Sequence, residues 1–394
     1  MKFGKVGQIA LVSAIALIVA TLFTACGTLT VGFMFVATNR VTPGQVQVYE
    51  VNSESGVLRT IPTSPFPSGG RNPVAEAVTP DAKNLYVVNE DDNNITQFGI
   101  GTDGKIYPQS TVNTPGSFPM ATAIDGAGKF LYVVDTLSPI AGCSLQNSCP
   151  GDLAVFPINA DGSLGTAVTN TTQYPDYWPL QLTLTDSRTV LTPTAVNVTA
   201  TGVYVTAYNP LTKIGYLFAY ATSGSGAVTP LNGGLPIVSG SEPSALASDS
   251  TGSYLFVTDS LLNRVATYNV SSGTPALAST VATGDQPSAL TVDGTSFVYV
   301  TNGSDSTITS YGLSSGTLTY LATTATGINP IGVTVDPRHV GYLYTVNFLG
   351  ATLNGFQINS TSGALINTQN SPYSSTLQPT AIVGIPHGGT ASGK

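Results

Sequence analysis

The sequence predicts an all-β protein, and three observations carry that prediction. A phrase recurs along the chain: a proline, a short apolar run, a turn, then a strand of the Tyr-Val type ending in Asn or Asp. Gly (42 residues) and Pro (26) are abundant while charged residues make up only 9%, the profile of many short strands joined by tight turns. Beyond the N-terminus no apolar pattern of period 3.6 is sustained, so little helix is expected.

The copies of the phrase are Pro73…Leu85-Tyr86-Val87-Val88-Asn89, Pro119…Leu131-Tyr132-Val133-Val134-Asp135, Pro243…Leu255-Phe256-Val257-Thr258-Asp259, Pro287…Val298-Tyr299-Val300-Thr301-Asn302 and Pro330…Leu343-Tyr344-Thr345-Val346-Asn347. Each copy supplies four strands. The first is rich in small residues: Val74–Val78, Met120–Ile124, Ser244–Ser248, Ser288–Val292 and Ile331–Val335. The Tyr-Val strand follows, and the Asn or Asp at its end is expected to cap a turn through backbone amides. The third strand alternates apolar and polar residues, at Asn94–Ile100, Asp152–Ile158, Arg264–Val270, Thr307–Leu313 and Leu353–Ile358. A Gly-x-Leu turn, as in Asp161-Gly162-Ser163-Leu164, opens the fourth.

A weaker copy starts near Pro193 and runs through Val203-Tyr204-Val205 to Ile214–Tyr220; Asn170–Leu191, with the only Trp (Trp178), reads as an insertion before it. Phe33–Asn39 and Gln45–Val51 match strands two and three of a repeat that lacks its first strand. The missing piece stands at the other end, as Gln378-Pro379-Thr380-Ala381-Ile382-Val383. Seven prolines thus mark seven inner strands. The expected architecture is a single seven-bladed β-propeller over residues 33–386, with four-stranded blades and the C-terminal strand completing the first blade, which leaves no open sheet edge and favours a monomer.

Two family resemblances attach to these residues. Tyr299-Val300-Thr301-Asn302 resembles the signature of the YVTN propeller repeat. Residues 33–386, with their Asp-Gly-x-Leu turns and proline-led inner strands, are similar to the seven-bladed lactonase family, which includes the propeller type of 6-phosphogluconolactonase. The resemblance implies lactone hydrolysis as one candidate activity, with Arg and His directly after the blade proline. Here those slots read Val74-Ala75, Met120-Ala121, Ser244-Ala245, Ser288-Ala289 and Ile331-Gly332, so the family's expected side chains are absent.

Residues 1–26 read as an export signal: Lys2 and Lys5, then an almost unbroken apolar run from Ile9 to Phe23, then small residues before Cys26. Phe23-Thr24-Ala25-Cys26 resembles a bacterial lipobox, which implies lipidation of Cys26 and anchoring to a membrane outside the cytoplasm, in the periplasm or at the cell surface. Residues 27–32 would be the tether and 387–394 a C-terminal tail. Losing Lys2 and Lys5 takes the net charge from −8 to −10, and no basic patch invites nucleic acid. Cys143 and Cys149 are expected to form a local disulfide across the loop Ser138–Gly151. No cofactor or metal set is evident; Asn89-Glu90-Asp91-Asp92-Asn93-Asn94 is rich in oxygen ligands but matches no calcium-loop spacing.

The residues just before the seven prolines form a ring at the expected channel mouth: Asn72, Phe118, Thr192, Glu242, Gln286, Asn329 and Gln378. Hydrolysis of a lactone needs a base for water and a donor for the oxyanion. Glu242 or Asp285 is the candidate base and Arg71 the candidate donor; the alternative is that these are solvated loop residues satisfying strand ends. His339 and His387 read as surface residues. Gly312-Leu313-Ser314-Ser315-Gly316 fits G-x-S-x-G but lies in a hairpin, whereas a nucleophile elbow needs a strand-to-helix turn. The sequence favours a lipid-anchored envelope protein that binds a protein, glycan or small molecule. The alternative is an extracytoplasmic lactone hydrolase acting on a non-phosphorylated substrate, since the mouth offers one arginine against the several cations a phosphate calls for.

Overall fold

The computed structural model describes residues 30–39, 42–171, 174–183 and 188–387. The proposed signal segment with Cys26 and the tail beyond His387 lie outside the described residues.

Seven antiparallel sheets stand in a ring, each inner strand packed beside the next. Blade 1 joins the two chain ends: Pro379–Pro386 pairs with Thr30–Thr38, followed by Gln45–Asn52 and Leu58–Thr60. Blades 2 to 7 begin with inner strands Pro73–Val78, Ser117–Ile124, Thr192–Thr199, Pro243–Ser248, Pro287–Asp293 and Pro330–Val335. The architecture is the one expected, C-terminal closure included. The strand predicted from Phe33 begins at Thr30, so half of the expected tether is already sheet. The only helical element among the described residues is a 3-10 turn, Asn232–Gly234.

One prediction is corrected. The segment Asn170–Leu191 is not merely an insertion. Trp178–Pro179 lies against Asp152–Leu153 as the outermost strand of blade 3; the stretch from Leu164 forms no regular strand, with one bridge to Ile158 and single backbone bonds from Gly165 to Pro157 and from Val168 to Val155. The disulfide joins Cys143 to Cys149 as expected.

Seven apolar clusters fill the seven seams between blades. The repeated Tyr has a specific task in them. Tyr86 Oη donates to the Gly162 carbonyl (2.6 Å), Tyr204 to Gly273 (2.9 Å), Tyr299 to Gly363 (3.2 Å) and Tyr344 to Gly56 (2.8 Å). Each acceptor is the glycine of the turn between strands three and four of the next blade. All four glycines sit at positive φ, where a Cβ would be strained, and a buried phenol needs such a partner. The Tyr of one repeat and the Gly of the next are therefore one interaction.

A second device sets the mouth. In every blade the pairing of strands one and two slips by one residue at or just after the proline, a bulge that kinks the inner strand. In five blades the proline pairs with an Asn or Asp at or near the end of strand two: Asn89, Asp135, Asp259, Asn302 and Asn347. All five are buried. Three residues before each of these prolines stands a glycine (Gly70, Gly116, Gly240, Gly284, Gly327) whose α-carbon rests on that side chain. A Cβ would lie 2.7 Å from Asn89 Cβ at Gly70 and 2.6 Å from Asp135 Cβ at Gly116.

Two stability predictions follow from these contacts. Tyr344→Phe removes one buried donor and should lower the unfolding free energy by about 1–2 kcal/mol. Gly70→Ala forces the Asn89 side chain from its place and should cost more. Urea-denaturation midpoints of both variants, with unchanged slope, are the check.

Candidate functional site

The residues before the prolines stand at the starts of the seven inner strands, the end of the ring expected to be the mouth, and many of their backbone and side-chain groups bond to the propeller itself. Asn72, Phe118, Gln286 and Asn329 adopt positive φ, an uncommon state for non-glycine residues that is held by neighbours. Asn93 Oδ1 accepts the Phe118 amide (2.7 Å) and Asn263 Oδ1 the Gln286 amide (2.9 Å), each from the preceding blade. Asp92, Asp259 and Asp305 accept the amides of Arg71, Ser241 and Asp285 at 2.8, 2.7 and 2.6 Å.

The three catalytic candidates are not assembled. Arg71 Nε binds Asp92 Oδ1 at 2.6 Å and its Nη2 the Asp91 carbonyl at 2.9 Å; the Asp92 carboxylate holds this guanidinium charged, above its ordinary range. Glu242 faces Lys213 at 3.8 Å, and Lys213 also lies over the Tyr208 ring. Asp285 accepts from Asn263 Nδ2 at 2.8 Å. Glu242 and Asp285 belong to adjacent blades 5 and 6, whereas Arg71 belongs to blade 2 across the ring. Asp92 and Asn93, from the oxygen-rich turn, are spent on the Arg71 and Phe118 backbone. Among the described residues the side chains of Thr192, Gln286 and Gln378 make no internal hydrogen bond, while Asn329 Nδ2 reaches the Gly303 carbonyl at 3.5 Å.

Sequence reasoning passed over the group with the most useful chemistry. Glu90, one residue beyond the Tyr-Val strand, is half-buried, and its Oε2 accepts Asn72 Nδ2 at 2.6 Å. Asn72 Oδ1 in turn accepts Asn39 Nδ2 at 3.4 Å, and the Asn39 amide bonds the Gln378 carbonyl at 3.0 Å. Burial first, and then the charge of Asp91, push the Glu90 carboxyl up. A half-buried carboxylate with raised proton affinity, held by an amide, is suited to take a proton from water. Its neighbour in sequence, Asp91, hid it: the run reads as a solvated acidic turn.

A second overlooked carboxyl, Glu76, lies three residues into the blade 2 inner strand, where blades 4 to 7 and 1 carry Val196, Leu246, Leu290, Val333 and Ile382. Its stem keeps some exposure, yet both carboxyl oxygens are covered and unpartnered. Burial pushes it up to about 8; the nearby Ala37 backbone amide pulls the other way without making a hydrogen bond. His339 is an outer residue as read, bonded to Asp293 at 3.0 Å on the face opposite the mouth, and this carboxylate holds it above its usual range. His387 packs its ring edge-on against Phe33. Gly312–Gly316 is a hairpin turn, with Gly316 at positive φ.

The comparisons agree with this architecture. The family described as "Lactonase, 7-bladed beta-propeller" matches residues 37–382. The chain belongs to that family. No curated protein matches. Among solved structures, a periplasmic gluconolactonase of Pseudomonas aeruginosa superposes with a TM-score of 0.73 at 19% identity, over 90% of this chain and 99% of that one. A protein of Bacteroides fragilis described as a putative 6-phosphogluconolactonase gives 0.72 at 19% identity, over 91% and 99%. A hypothetical selenium-binding protein of Sulfolobus tokodaii gives 0.63 at 9% identity, over 93% and 96%. At such identities the likeness is one of fold, and the fold serves unlike tasks.

Glu76 makes a pH prediction with a definite sign. Its affinity for a proton is higher folded than unfolded, so its contribution is fully favourable below about pH 4.5 and is lost as pH rises through about 8. Glu76→Gln should flatten the fall in stability across that range, read as the urea midpoint at a series of pH values. An unchanged slope would remove Glu76 from the account.

Proposed function

We propose that this protein hydrolyses a non-phosphorylated sugar lactone outside the cytoplasm, anchored to a membrane through Cys26, with Glu90 as the base. The observation that carries the reading is the Glu90–Asn72–Asn39 chain at the mouth, where among the described residues a half-buried carboxyl of raised proton affinity meets side-chain amides. Ionised Glu90 takes a proton from water, and the hydroxide adds to the lactone carbonyl. The ring oxygen then leaves as the alcohol and takes a proton, giving the hydroxy acid. The free amide of Gln378, on the neighbouring strand lead-in, is a candidate donor to the carbonyl oxygen.

Family membership supports this activity, and the export-type N-terminus agrees with a substrate met outside the cytoplasm. A phosphorylated substrate fits less well, because Arg71 and Lys213 are already paired with Asp92 and Glu242 and a phosphate favours free Arg or Lys. The second reading, a binding module without turnover, draws on the commitment of Arg71, Glu242 and Asp285 to the mouth's own structure.

The test is a panel of sugar and simple acyl lactones assayed with the purified protein, with and without EDTA. Glu90→Gln should lower kcat by roughly a hundredfold or more with little change in KM, while Arg71→Ala and Glu242→Gln change it far less. Turnover that survives Glu90→Gln would reject this base. No turnover on any lactone, together with saturable binding of one, would favour the binding module.

A further inference from the structure

At the mouth end of blade 3 two carboxyls face each other. Asp135, two residues before the end of strand two, pairs in register with Asp152, the first residue of strand three. The same pair in other blades is complementary: Asn89 with Asn94, Asp259 with Arg264, Asn302 with Thr307 and Asn347 with Thr352. Asn89 Nδ2 donates to Asn94 Oδ1 at 2.9 Å, Asn302 Nδ2 to Thr307 Oγ1 at 2.9 Å and Asn347 Nδ2 to Thr352 Oγ1 at 3.1 Å. Only in blade 3 do both members lack a donor when ionised.

Their surroundings supply little. Both residues are 0% exposed. Asp135 Oδ2 accepts the Gly116 amide at 3.2 Å, while Asp135 Oδ1 and both Asp152 oxygens have no partner. Two hydroxyls stand close by, but Ser138 Oγ already donates to the Pro150 and Gly151 carbonyls at 2.8 and 3.0 Å, and Thr114 Oγ1 leans on the Gly116 carbonyl at 3.4 Å. The other titratable groups acting on the pair are Asp176 and Tyr177 of the same blade and Tyr220 of blade 4. Among the described residues no basic side chain acts on either carboxyl. Two buried like charges without a counter-charge are not tenable. One proton between them resolves both the missing donor and the repulsion.

We infer that Asp135 and Asp152 share a proton as a buried acid–carboxylate pair, and that this proton ties the base of the disulfide-clipped mouth loop Ser138–Gly151 to pH. The proton plays the part that the Asn amide hydrogen plays in blades 2, 6 and 7. Burial pushes both carboxyls up, and the pair titrates as a unit. Folding therefore takes up protons here: stability is highest below about pH 4 and falls as pH rises through about 7. Ser138 binds the Pro150 carbonyl through both its amide and its hydroxyl, so charging the pair loosens the two ends of the loop first.

The experiment uses the Glu76→Gln protein, which removes the other buried acid of raised proton affinity, and reads protonated carboxyl directly by infrared difference spectroscopy against its Asp135→Asn and Asp152→Asn derivatives. Expected at pH 7 is a protonated-carboxyl band that both derivatives lose, since either Asn supplies the donor found in other blades. Each derivative should also flatten the fall of the urea midpoint between pH 5 and 8. Amide exchange at Ser138 and Gly151, corrected for intrinsic rates, should accelerate above neutrality in the parent and not in the derivatives. Absence of the band at pH 7 overturns the proposal, as does a midpoint raised by Ca²⁺ and lowered by EDTA, which would mean a cation between two carboxylates. Should one Asn variant fail to fold, the other and the band in the parent still decide.

Discussion

The propeller mouth depends on one buried contact: an Asn or Asp side chain at the end of strand two, lodged under a glycine three residues before the blade proline. A polar group at zero or near-zero exposure must find partners or cost stability. Here it finds them in strand three, as Asn302 does in Thr307 and Thr309, or in the lead-in to the inner strand, as Asp259 does in the amides of Ser241 and Glu242. The proline at the bulge has no N–H to leave unpaired. Glycine, buried polar residue and proline are thus one unit. Blades 1 and 4 show the unit's coherence by lacking it together: there the prolines pair with Thr38 and Ala207, and no glycine stands three residues ahead of Pro379 or Pro193.

That unit has a consequence for chemistry. Because the lead-ins are held by side chains from the turns between strands two and three, a polar residue at the mouth is first a structural residue. Arg71, Glu242 and Asp285 each have a neighbour to satisfy, and a substrate would have to break that pairing before using them. Groups left over from this work are the ones free to serve a ligand: Glu90, tied only to an amide, and Thr192, Gln286 and Gln378, tied to nothing described. The bulge hydroxyls are spent as well, Ser244 Oγ and Ser288 Oγ on the carbonyls of Pro287 and Pro330 in the next blade, both at 2.5 Å.

Strand order and ring closure were legible because the repeat is written in proline, tyrosine and glycine, each with a local backbone or packing requirement. The split first blade could be read from what each end lacked. Trp178 was misplaced because a two-residue outer strand leaves no alternating pattern; only its pairing with Asp152 and Leu153 defines it. Glu90, Glu76 and Asp152 were missed for a different reason. Their chemistry comes from burial and from the identity of a cross-strand partner, neither of which spacing along the chain reveals. A comparison of repeats position by position carries the available signal: a carboxyl where five other copies hold Leu, Val or Ile and blade 3 holds Thr122, and an Asp facing an Asp where blades 2, 5, 6 and 7 hold complementary groups.

The location of the proposed site adds a last step. Asn39 directly follows the strand Thr30–Thr38, Gln378 is the lead-in to the C-terminal strand, and Asn72 and Glu90 belong to blade 2, so the hydrogen-bonded chain spans the seam where the ring is closed. Thr380 Oγ1 fastens that seam, donating to the Ala37 carbonyl at 3.2 Å and the Pro73 carbonyl at 2.6 Å. Glu76 lies covered against the same Ala37. A site built across this joint exists only when both chain ends have docked, since neither end alone holds Asn39 against Gln378 and Asn72. Closure and site formation are then a single event, and an ionised Glu76, which disfavours the closed seam, weakens both at once.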